Sequence, residues 1–362
     1  MSNANAPVLI MAGGTGGHIF PGLAVADALR ACEIPVLWLG AAGGMEAKLV
    51  PARGIALQTV PVSGLRGKKL LARITAPWMV LRALFASIRI LRESQPRSVI
   101  SMGGYVAGPG GIAAWLLRKP LLVHEQNRIP GFTNRVLARL ARRVLAGFPD
   151  AFPARTHAEW TGNPVRSQIA ALPLPVQRIG ARENERPSLL VLGGSLGARA
   201  LNLRVPEALA LIPAEQRPAV LHQCGATHVD ATRAAYAAAK VEARVEPFIE
   251  DMAQAYAEAD LAICRAGALT LAELAAAGLG SVLVPFPYAV DDHQTRNAQG
   301  FVHAGASELV QERDFDAARF AQRLQRLLGD RERLLAMAQS ARKLAKPDAA
   351  ATIAQRCLEV AA

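Results

Sequence analysis

The sequence predicts an α/β protein with two doubly wound domains, each built on a parallel sheet. Three observations predict it: the chain's size and composition, an alternation of apolar strands with helical segments, and a repeated glycine motif. The chain has 362 residues, of which 51% are apolar and 19% charged. At roughly 150 residues per domain this length suggests two domains. Such a composition excludes a disordered chain or a coiled coil.

The alternation is visible along the whole chain. Short Val-, Ile- or Leu-rich runs are separated by Ala-, Leu- and Arg-rich segments at helical spacing. Continuously apolar strands between helices are typical of parallel sheets covered on both faces. The strands predicted in this way are residues 8–11, 36–40, 98–101, 121–123, 189–192, 219–223, 261–264 and 281–284.

The glycine motif occurs twice. Leu9-Ile-Met-Ala-Gly-Gly-Thr-Gly-Gly17 is echoed 180 residues later by Leu189-Leu-Val-Leu-Gly-Gly-Ser-Leu-Gly197. Each motif carries a strand into a helix, which predicts a ligand crevice at the carboxyl ends of the strands in each domain. Turn-forming residues place the linker between 162 and 188. We expect an N-terminal domain over 1–164, a C-terminal domain over 165–342, and a last helix, about 343–362, that packs back on the first domain.

The first glycine loop and His18 are the first candidates for chemistry. The loop lacks the Gly-Lys-Ser/Thr of a P-loop and has Ile19 where a dinucleotide motif needs its third glycine, which disfavours ATP and NAD. Its backbone N–H groups before a helix suit a phosphate, although the glycines could serve only a tight turn. The helix dipole favours a neutral His18 that can accept a proton. Alternatively, His18 only caps the helix or hydrogen-bonds the glycine turn.

Three later segments allow both a structural and a functional interpretation. Thr270 and Glu273 have the spacing of a capping box, which the local pattern favours. The functional alternative is that Glu273 accepts hydrogen bonds from a ribose diol. Residues 285–297 are rich in polar groups and fit a helix start capped by Asp. Asp314-Phe-Asp316 resembles a metal motif but precedes a helical segment, so we predict an N-cap there.

The positive charge is confined to the first part of the chain. Lys and Arg number 41 against 29 acids, and the net +12 falls wholly on residues 1–160. Between Arg66 and Arg97, eight basic residues and one acid are interleaved with Trp, Phe, Leu and Ile. That pattern indicates a membrane-surface patch, held by about 1 kcal/mol per basic residue. The predicted patch comprises Lys68, Lys69, Arg73, Trp78, Arg82 and Phe85.

Two alternatives to the membrane patch are a nucleic-acid surface and a buried helix. RNA binding would more often show exposed aromatic residues on strands, and no such motif is present in the sequence. A core helix with charges on its exposed stripe would explain the apolar residues but less well the charge excess. We therefore expect an anionic membrane surface as a partner and no nucleic acid.

Targeting and metal signals are weak. The apolar run 8–11 is too short for a signal peptide and has no basic segment before it. The charge-free stretch 98–117 is interrupted by five glycines and a proline, so we predict no transmembrane span. The four scattered cysteines form no C-x-x-C pair, which predicts no structural metal. We expect a peripheral protein on the cytoplasmic side of the membrane.

Six motifs together resemble, in order and spacing, the MurG family of membrane-associated glycosyltransferases, family 28. The likeness covers nearly the whole chain. The motifs are Gly13-Gly-Thr-Gly-Gly-His-Ile-Phe-Pro-Gly-Leu-Ala-Val-Ala26, Gly103-Gly-Tyr-Val-Ala-Gly-Pro109, His124-Glu-Gln-Asn127, Gly162-Asn-Pro-Val-Arg166, Gly193-Gly-Ser-Leu-Gly-Ala-Arg-Ala-Leu-Asn202 and Cys264-Arg-Ala-Gly-Ala-Leu-Thr-Leu-Ala-Glu273.

The resemblance implies a GT-B fold, in which two Rossmann-like domains face a central cleft. It implies inverting transfer of GlcNAc from UDP-GlcNAc to the C4 hydroxyl of the MurNAc of undecaprenyl-linked lipid I, giving lipid II. That reaction belongs to peptidoglycan biosynthesis, and so to cell-wall biogenesis, cell shape and cell division. The resemblance further implies that no cofactor is required and leaves stimulation by a divalent cation open. Other cell-wall synthesis proteins are further expected partners.

The resemblance also implies roles for particular residues. Glu273 would hold the ribose hydroxyls, which reverses the preference for a cap, and Ile249 would contact uracil through its backbone. His18 is the first choice for the general base and Glu125 the second. The residues expected to contact UDP-GlcNAc are Thr15, Gly16, Gly17, Asn127, Arg166, Ser195, Ile249, Ala268, Leu269, Thr270, Leu271, Ala272, Glu273 and Gln294. The family often has two Gln residues where this chain has His293-Gln294, after a slightly longer loop.

Two other functions stay open at this point. A related GT-B enzyme, such as another lipid-linked sugar transferase or a UDP-GlcNAc epimerase, would share the donor site, although an epimerase would not need the membrane patch. A non-enzymatic membrane or RNA-binding protein would explain the charge. It would not explain the two glycine loops or Glu273.

Overall fold

The computed structural model describes residues 6–62, 70–180, 182, 185–194, 197–289 and 292–361, with the backbone alone for 70–76. The chain divides into two compact units. Unit 1 comprises residues 1–165 and 347–362, and unit 2 comprises residues 166–346. Three predicted site residues, Lys68, Lys69 and Ser195, lie outside the described residues, and so does the side chain of Arg73.

Unit 1 is built on a parallel sheet with helices along the chain between its strands. Its strands are β1 (Val8–Ala12), β2 (Val36–Ala41), β3 (Ala56–Val60), β4 (Ser98–Gly103), β5 (Leu121–Glu125), β6 (Arg143–Ala146) and β7 (Glu159–Trp160). Its helices are α1 (Gly16–Ala31), α2 (Glu46–Leu49), α3 (Leu70–Ser94), α4 (Ala107–Leu116), α5 (Phe132–Leu137) and, from the end of the chain, α15 (Ala349–Glu359).

The strand order of unit 1 is β3-β2-β1-β4-β5-β6-β7, with every described pair parallel. The order reverses between β1 and β4, whose carboxyl ends therefore border a crevice where ligands bind in such sheets. The register between these two strands shifts after Met11, just before the first glycine loop. The topology thus places that loop at the switch point.

Alternate residues of β1 enter two different cores. Val8 and Ile10 pack with residues of α1 and α15, whereas Leu9 and Met11 pack with residues of α3 and α4. All five residues of the strand are buried. A strand covered on both faces has to be continuously apolar, which is why the sequence pattern identified it.

Unit 2 repeats the architecture. Its strands are β8 (Ser188–Leu192), β9 (Ala219–Gln223), β10 (Arg244–Glu246), β11 (Leu261–Cys264), β12 (Ser281–Leu283) and β13 (Ser307–Leu309). Its helices are α6 (Ser167–Ala170), α7 (Pro175–Gly180), α8 (Arg199–Ala210), α9 (Val229–Ala238), α10 (Met252–Glu258), α11 (Ala268–Ala277), α12 (His293–His303), α13 (Ala317–Leu328) and α14 (Arg331–Lys343). The strand order is β10-β9-β8-β11-β12-β13, again parallel. The predicted α/β class with two doubly wound parallel sheets is confirmed.

The last helix is held to unit 1 by an ion pair. Arg356 on α15 donates from Nε to both carboxylate oxygens of Glu159 on β7, at 3.0 and 2.8 Å, and from Nη2 to Oε1 at 2.7 Å. Arg142 adds a hydrogen bond to the carbonyl of Val360 at 3.2 Å. Hydrogen bonding by Arg356 lowers the pKa of Glu159, with the positive charges of Arg356 and Arg143 acting in the same direction.

The Arg356→Met variant should therefore be less stable in a pH-dependent way. A carboxylate whose pKa is lowered by folding stabilises the protein above its unfolded pKa, and that contribution disappears as the pH falls through the lowered value. We expect a loss of about 1 kcal/mol at pH 7, or roughly 2–4 °C in the unfolding temperature. The loss of stability should become smaller as the pH falls below 4.5, the ordinary pKa of a Glu carboxyl.

Calorimetric melting of both proteins between pH 7 and pH 3.5 measures this. The matched control is Arg89→Met, which removes the ion pair between Arg89 and Glu93. Their side chains are 79% and 67% exposed, so this variant should melt close to the wild-type temperature. An equal loss of stability at all pH values for Arg356→Met would contradict the electrostatic explanation.

Candidate active site

The first glycine loop places backbone N–H groups at the start of α1. Thr15 is the N-cap residue in an extended conformation, and its side chain makes no cap hydrogen bond. The first amides of a helix lack the usual intrahelical partner four residues earlier and lie at its positive end. In α1 the His18 amide donates to the Thr15 carbonyl at 3.0 Å. Thr15 and Gly17 are exposed. The amide of Gly14 differs, because it donates to Oε2 of the buried Glu46 at 3.4 Å.

His18 lies where three strand ends meet. Its half-buried ring follows the loop after β1, and its Nδ1 lies 3.0 Å from Oε1 of Gln126, which follows β5. Gly103, the last residue of β4, has φ +101°, and a Cβ there would lie 2.9 Å from the His18 ring. Since Thr15 is the cap residue, His18 is not the cap of α1. The contact with Gln126 fixes the ring at the edge of the sheet.

Glu125 is 2% exposed and its carboxylate accepts four hydrogen bonds. Oε1 accepts from the backbone and side-chain nitrogens of Asn127 at 3.0 and 3.3 Å. Oε2 accepts from the Gly131 amide at 3.1 Å and from Asn134 Nδ2 at 2.9 Å. This carboxylate organises the segment that follows β5, and Asn127 is held as part of that arrangement.

In unit 2, Glu273 lies on α11 in contact with two partners. Arg166 Nη2 donates to Oε1 at 3.0 Å, and the hydroxyl of Tyr256 donates to Oε2 at 3.0 Å. Burial, and then the negative charge of Glu273, raise the pKa of Tyr256 well above its ordinary value, so the hydroxyl keeps its proton and donates. The three side chains form what we call the Glu273 cluster: Arg166, Tyr256 and Glu273.

The capping-box interpretation of Thr270 and Glu273 is wrong. The N-cap residue of α11 is Gly267, so Thr270 lies within the first turn and Glu273 one turn further on. The predicted cap at Asp316 is confirmed, because its carboxylate accepts from the Arg319 amide at 2.9 Å at the start of α13. Within the described ranges, no group of three or more His, Cys, Asp or Glu side chains is arranged to hold a metal ion.

The other residues of unit 2 that were predicted to contact UDP-GlcNAc differ in their burial and contacts. The side chains of Ala268 and Leu271 are buried, whereas those of Leu269, Thr270 and Ala272 are partly exposed. Gln294 Oε1 accepts from the Phe286 amide at 3.0 Å, which ties α12 to the segment after β12. Ile249 lines an open pocket of about 370 Å³, a size within the range of small-molecule sites.

The second glycine loop is anchored by a residue that the sequence did not single out. Gln223, at the end of β9, accepts from the Gly194 amide at 3.0 Å through Oε1 and donates from Nε2 to the Gly194 carbonyl at 3.1 Å. Its backbone carbonyl accepts from the Gly193 amide at 2.8 Å. These two amides are therefore engaged within unit 2. An anion at this loop would have to use amides nearer the start of α8.

Helix α3 carries apolar side chains on more than one face. Ala83, Ser87 and Leu91 are buried, whereas Trp78 and Phe85 are 66% and 64% exposed. Leu81 and Arg82, which lie beside them in the sequence, are exposed as well. A core helix with only charges outside, the alternative considered from the sequence, does not account for these two aromatic residues. The neighbouring helix α4 adds Trp115 and Leu116, both 51% exposed, which the sequence did not single out.

None of the helices in the described part of the chain is long and apolar enough to cross a membrane.

Two parallel, doubly wound units, each with a glycine loop after its central strand, are typical of the GT-B glycosyltransferases. Residues 8–146 match the glycosyltransferase family 28 N-terminal domain, and residues 188–353 match the glycosyltransferase family 28 C-terminal domain. The chain belongs to glycosyltransferase family 28 and is a transferase. The resemblance inferred from the six motifs is thereby confirmed.

Full-length relatives and a solved structure agree with this assignment. A protein of Alkalilimnicola ehrlichii is 56% identical over 98% of this chain and 99% of its own length. One of Xanthomonas campestris pv. campestris is 59% identical over 98% of this chain and 82% of its own length. Both are named UDP-N-acetylglucosamine--N-acetylmuramyl-(pentapeptide) pyrophosphoryl-undecaprenol N-acetylglucosamine transferase. The crystal structure of Acinetobacter baumannii MurG is 41% identical, with a TM-score of 0.81 over 97% of this chain and 99% of that one.

Proposed function

We propose that the protein transfers GlcNAc from UDP-GlcNAc to the C4 hydroxyl of the MurNAc of lipid I, with inversion, and so makes lipid II at the cytoplasmic face of the cell membrane. The observation that carries the proposal is the full-length similarity to proteins named for that transferase activity. The groups found in each unit support it: unit 1 offers a candidate base and the amides at the start of α1, and unit 2 offers the Glu273 cluster.

Unit 1 supplies the base. Inverting transfer requires the acceptor hydroxyl to lose a proton as its oxygen attacks the anomeric carbon. His18 is half-buried at the carboxyl edge of the sheet, where a neutral imidazole can take that proton. Glu125 is less suited, because four donors already occupy its carboxylate and it is nearly inaccessible. We therefore keep His18 as the base.

The amides at the start of α1 and the Glu273 cluster would bind the donor. As the bond between the sugar and the phosphate breaks, UDP leaves with the bonding electron pair and gains negative charge. Backbone N–H groups at a helix start and a guanidinium stabilise such charge. Arg166 is held by Glu273 at 3.0 Å, and the Glu273 carboxylate can also accept hydrogen bonds from a ribose diol.

A transfer assay tests the proposal. Radiolabelled UDP-GlcNAc is offered with a soluble lipid I analogue, and transfer of label to the analogue is expected. UDP-GalNAc as donor and water alone as acceptor are the controls, and both should give little product. Conversion of UDP-GlcNAc to another nucleotide sugar without an acceptor would instead indicate an epimerase. If neither transfer nor conversion took place, the proposal would be refuted.

Membrane association through α3 is the second part of the proposal. Exposed Trp78, Arg82 and Phe85 lie on this helix, and the preceding segment carries Lys68 and Lys69. Basic side chains with exposed aromatic residues between them suit the headgroup region of an anionic leaflet. We propose that this surface brings the enzyme to its lipid-linked acceptor.

Neutralising the patch should release the protein from anionic vesicles. At about 1 kcal/mol for each basic residue, replacing Lys68, Lys69, Arg73 and Arg82 by Gln should weaken binding by up to roughly 1000-fold at low salt. Sedimentation with phosphatidylglycerol vesicles measures it, and UDP binding should be unchanged. The control variant replaces four exposed arginines of unit 2, namely Arg244, Arg313, Arg326 and Arg333. Equal binding to neutral vesicles, or loss of donor binding in the patch variant, would contradict the proposal.

A further inference from the structure

The side chains behind His18 form a hydrogen-bonded chain that ends on a backbone carbonyl. His18 Nδ1 lies 3.0 Å from Gln126 Oε1, and Gln126 Nε2 lies 3.1 Å from His124 Nδ1. His124 Nε2 lies 3.0 Å from the carbonyl oxygen of Gly162. His124 and Gln126 are 0% and 1% exposed, so water does not substitute for these contacts. We call this chain the His18 relay: His18, Gln126, His124 and the Gly162 carbonyl.

The far end of the relay fixes the protons on His124. A carbonyl oxygen can only accept, so the His124 nitrogen that faces Gly162 must carry a proton. Burial lowers the pKa of His124 to about 4, and the ring is therefore neutral near pH 7. A neutral imidazole has one N–H, so Nδ1 of His124 carries a lone pair and accepts.

Two contacts fix the orientation of the Gln126 amide. Its Nε2 faces the lone pair of His124 Nδ1 and lies 3.2 Å from the His124 carbonyl oxygen. Both neighbours are acceptors, so the amide nitrogen has to be on this side. Asn163 Nδ2 holds the Gln126 backbone carbonyl at 2.9 Å, which limits movement of the residue. The amide oxygen is thereby directed at His18.

The orientation of Gln126 determines the proton on His18. An amide oxygen accepts, so His18 Nδ1 must be the protonated nitrogen. In the neutral ring the lone pair is then on Nε2, and the same Nδ1–H persists when Nε2 takes a second proton. Gly103 supports the geometry, because any side chain there would push into the His18 ring.

We propose that Gln126 and His124 are positioning residues that hold His18 with its proton on Nδ1, so that Nε2 is the atom that accepts the proton of the acceptor hydroxyl. This inference rests on the proposed role of His18 as the base. The hydroxyl O–H bond breaks and an Nε2–H bond forms, while the oxygen bonds to the anomeric carbon and UDP departs with the electron pair. The imidazolium then returns its proton to solvent.

The test is the tautomer of His18 in the full-length protein. Long-range ¹H–¹⁵N correlation spectra of ¹⁵N-histidine-labelled protein at pH 8 distinguish Nδ1–H from Nε2–H rings. The His18 signals are identified by their absence in His18→Ala. We expect His18 to carry its proton on Nδ1 in the wild-type protein. A proton on Nε2 would overturn the inference without need of any further variant.

Gln126→Leu keeps the approximate volume and removes the three side-chain hydrogen bonds of Gln126, to His18 Nδ1, His124 Nδ1 and the His124 carbonyl. We expect the Nε2–H form of His18 to appear and kcat to fall about 10- to 100-fold, with KM for UDP-GlcNAc little changed. Gln126→Glu can still accept from Nδ1–H, so it should retain the His18 tautomer. The control is Gln325→Leu, an exposed position on α13 of unit 2. An unchanged tautomer in Gln126→Leu would refute the positioning role. Failure of the wild-type protein to transfer GlcNAc would refute the proposed function while leaving the tautomer measurable.

Discussion

Replacing His18 with Ala should lower turnover by about 10²- to 10⁴-fold, the range expected for loss of a general base. UDP binding should change little, because the His18 side chain contacts Gln126 within unit 1. Initial rates and calorimetric titration with UDP measure the two effects separately. His303→Ala, at an exposed position on α12, is the matched control. A near-normal rate would remove His18 from the role.

Glu125→Gln separates the first choice for the base from the second. The substitution places an amide against four hydrogen-bond donors, so it should loosen the segment after β5 and lower the unfolding temperature. His18→Ala should instead keep its unfolding temperature close to that of the wild type. If Glu125→Gln lost turnover more strongly than His18→Ala while melting normally, the base would be Glu125.

Replacing Glu273 with Ala should raise KM for UDP-GlcNAc by about 10- to 150-fold. The estimate corresponds to the loss of a hydrogen bond to a charged acceptor, about 1.5–3 kcal/mol. The substitution also leaves Arg166 and the buried Tyr256 hydroxyl without their shared partner. Since turnover at saturating donor depends less on this contact, kcat should fall less than KM rises. Steady-state kinetics provide both values.

A deoxy donor shows whether the loss comes from the ribose. Wild-type enzyme should use 2′-deoxy-UDP-GlcNAc less well than UDP-GlcNAc, and Glu273→Ala should show little difference between the two. Tyr256→Phe removes only one hydrogen bond to the carboxylate and should retain most of the discrimination. Glu207→Ala, an exposed acid of the same unit, serves as the control. Full discrimination in Glu273→Ala would contradict ribose recognition by this residue.

Much of the fold followed from local patterns. Strands such as β1 and β11 are buried on both faces, and their sequences are therefore unbroken apolar runs. Strands β3 and β10 were not singled out, because they are short or carry exposed polar residues at the sheet edge. Edge strands bury less of each residue, and their sequences therefore lack the pattern of a buried strand.

The candidate site was harder to predict from the sequence, because its side chains contact residues that are far apart along the chain. Glu273 matched a capping box at spacing three, but the helix begins at Ala268, and the partners that matter are Tyr256 and Arg166, 17 and 107 positions away. His18 and Gln126 are 108 positions apart. The His124–Asn127 motif supplied the relay residues. Only the packing of β5 beside the switch point shows what they contact.

The linkage formed in the product tests the central claim most directly. The enzyme is supplied with UDP-GlcNAc, whose sugar is α-linked to phosphate, and a soluble lipid I analogue, and the purified product is examined by NMR. We predict GlcNAc joined β to the C4 oxygen of MurNAc, seen as a large anomeric proton coupling and a through-bond correlation to C4. An α linkage, attachment at another oxygen, or release of free GlcNAc alone would contradict an inverting transfer to lipid I.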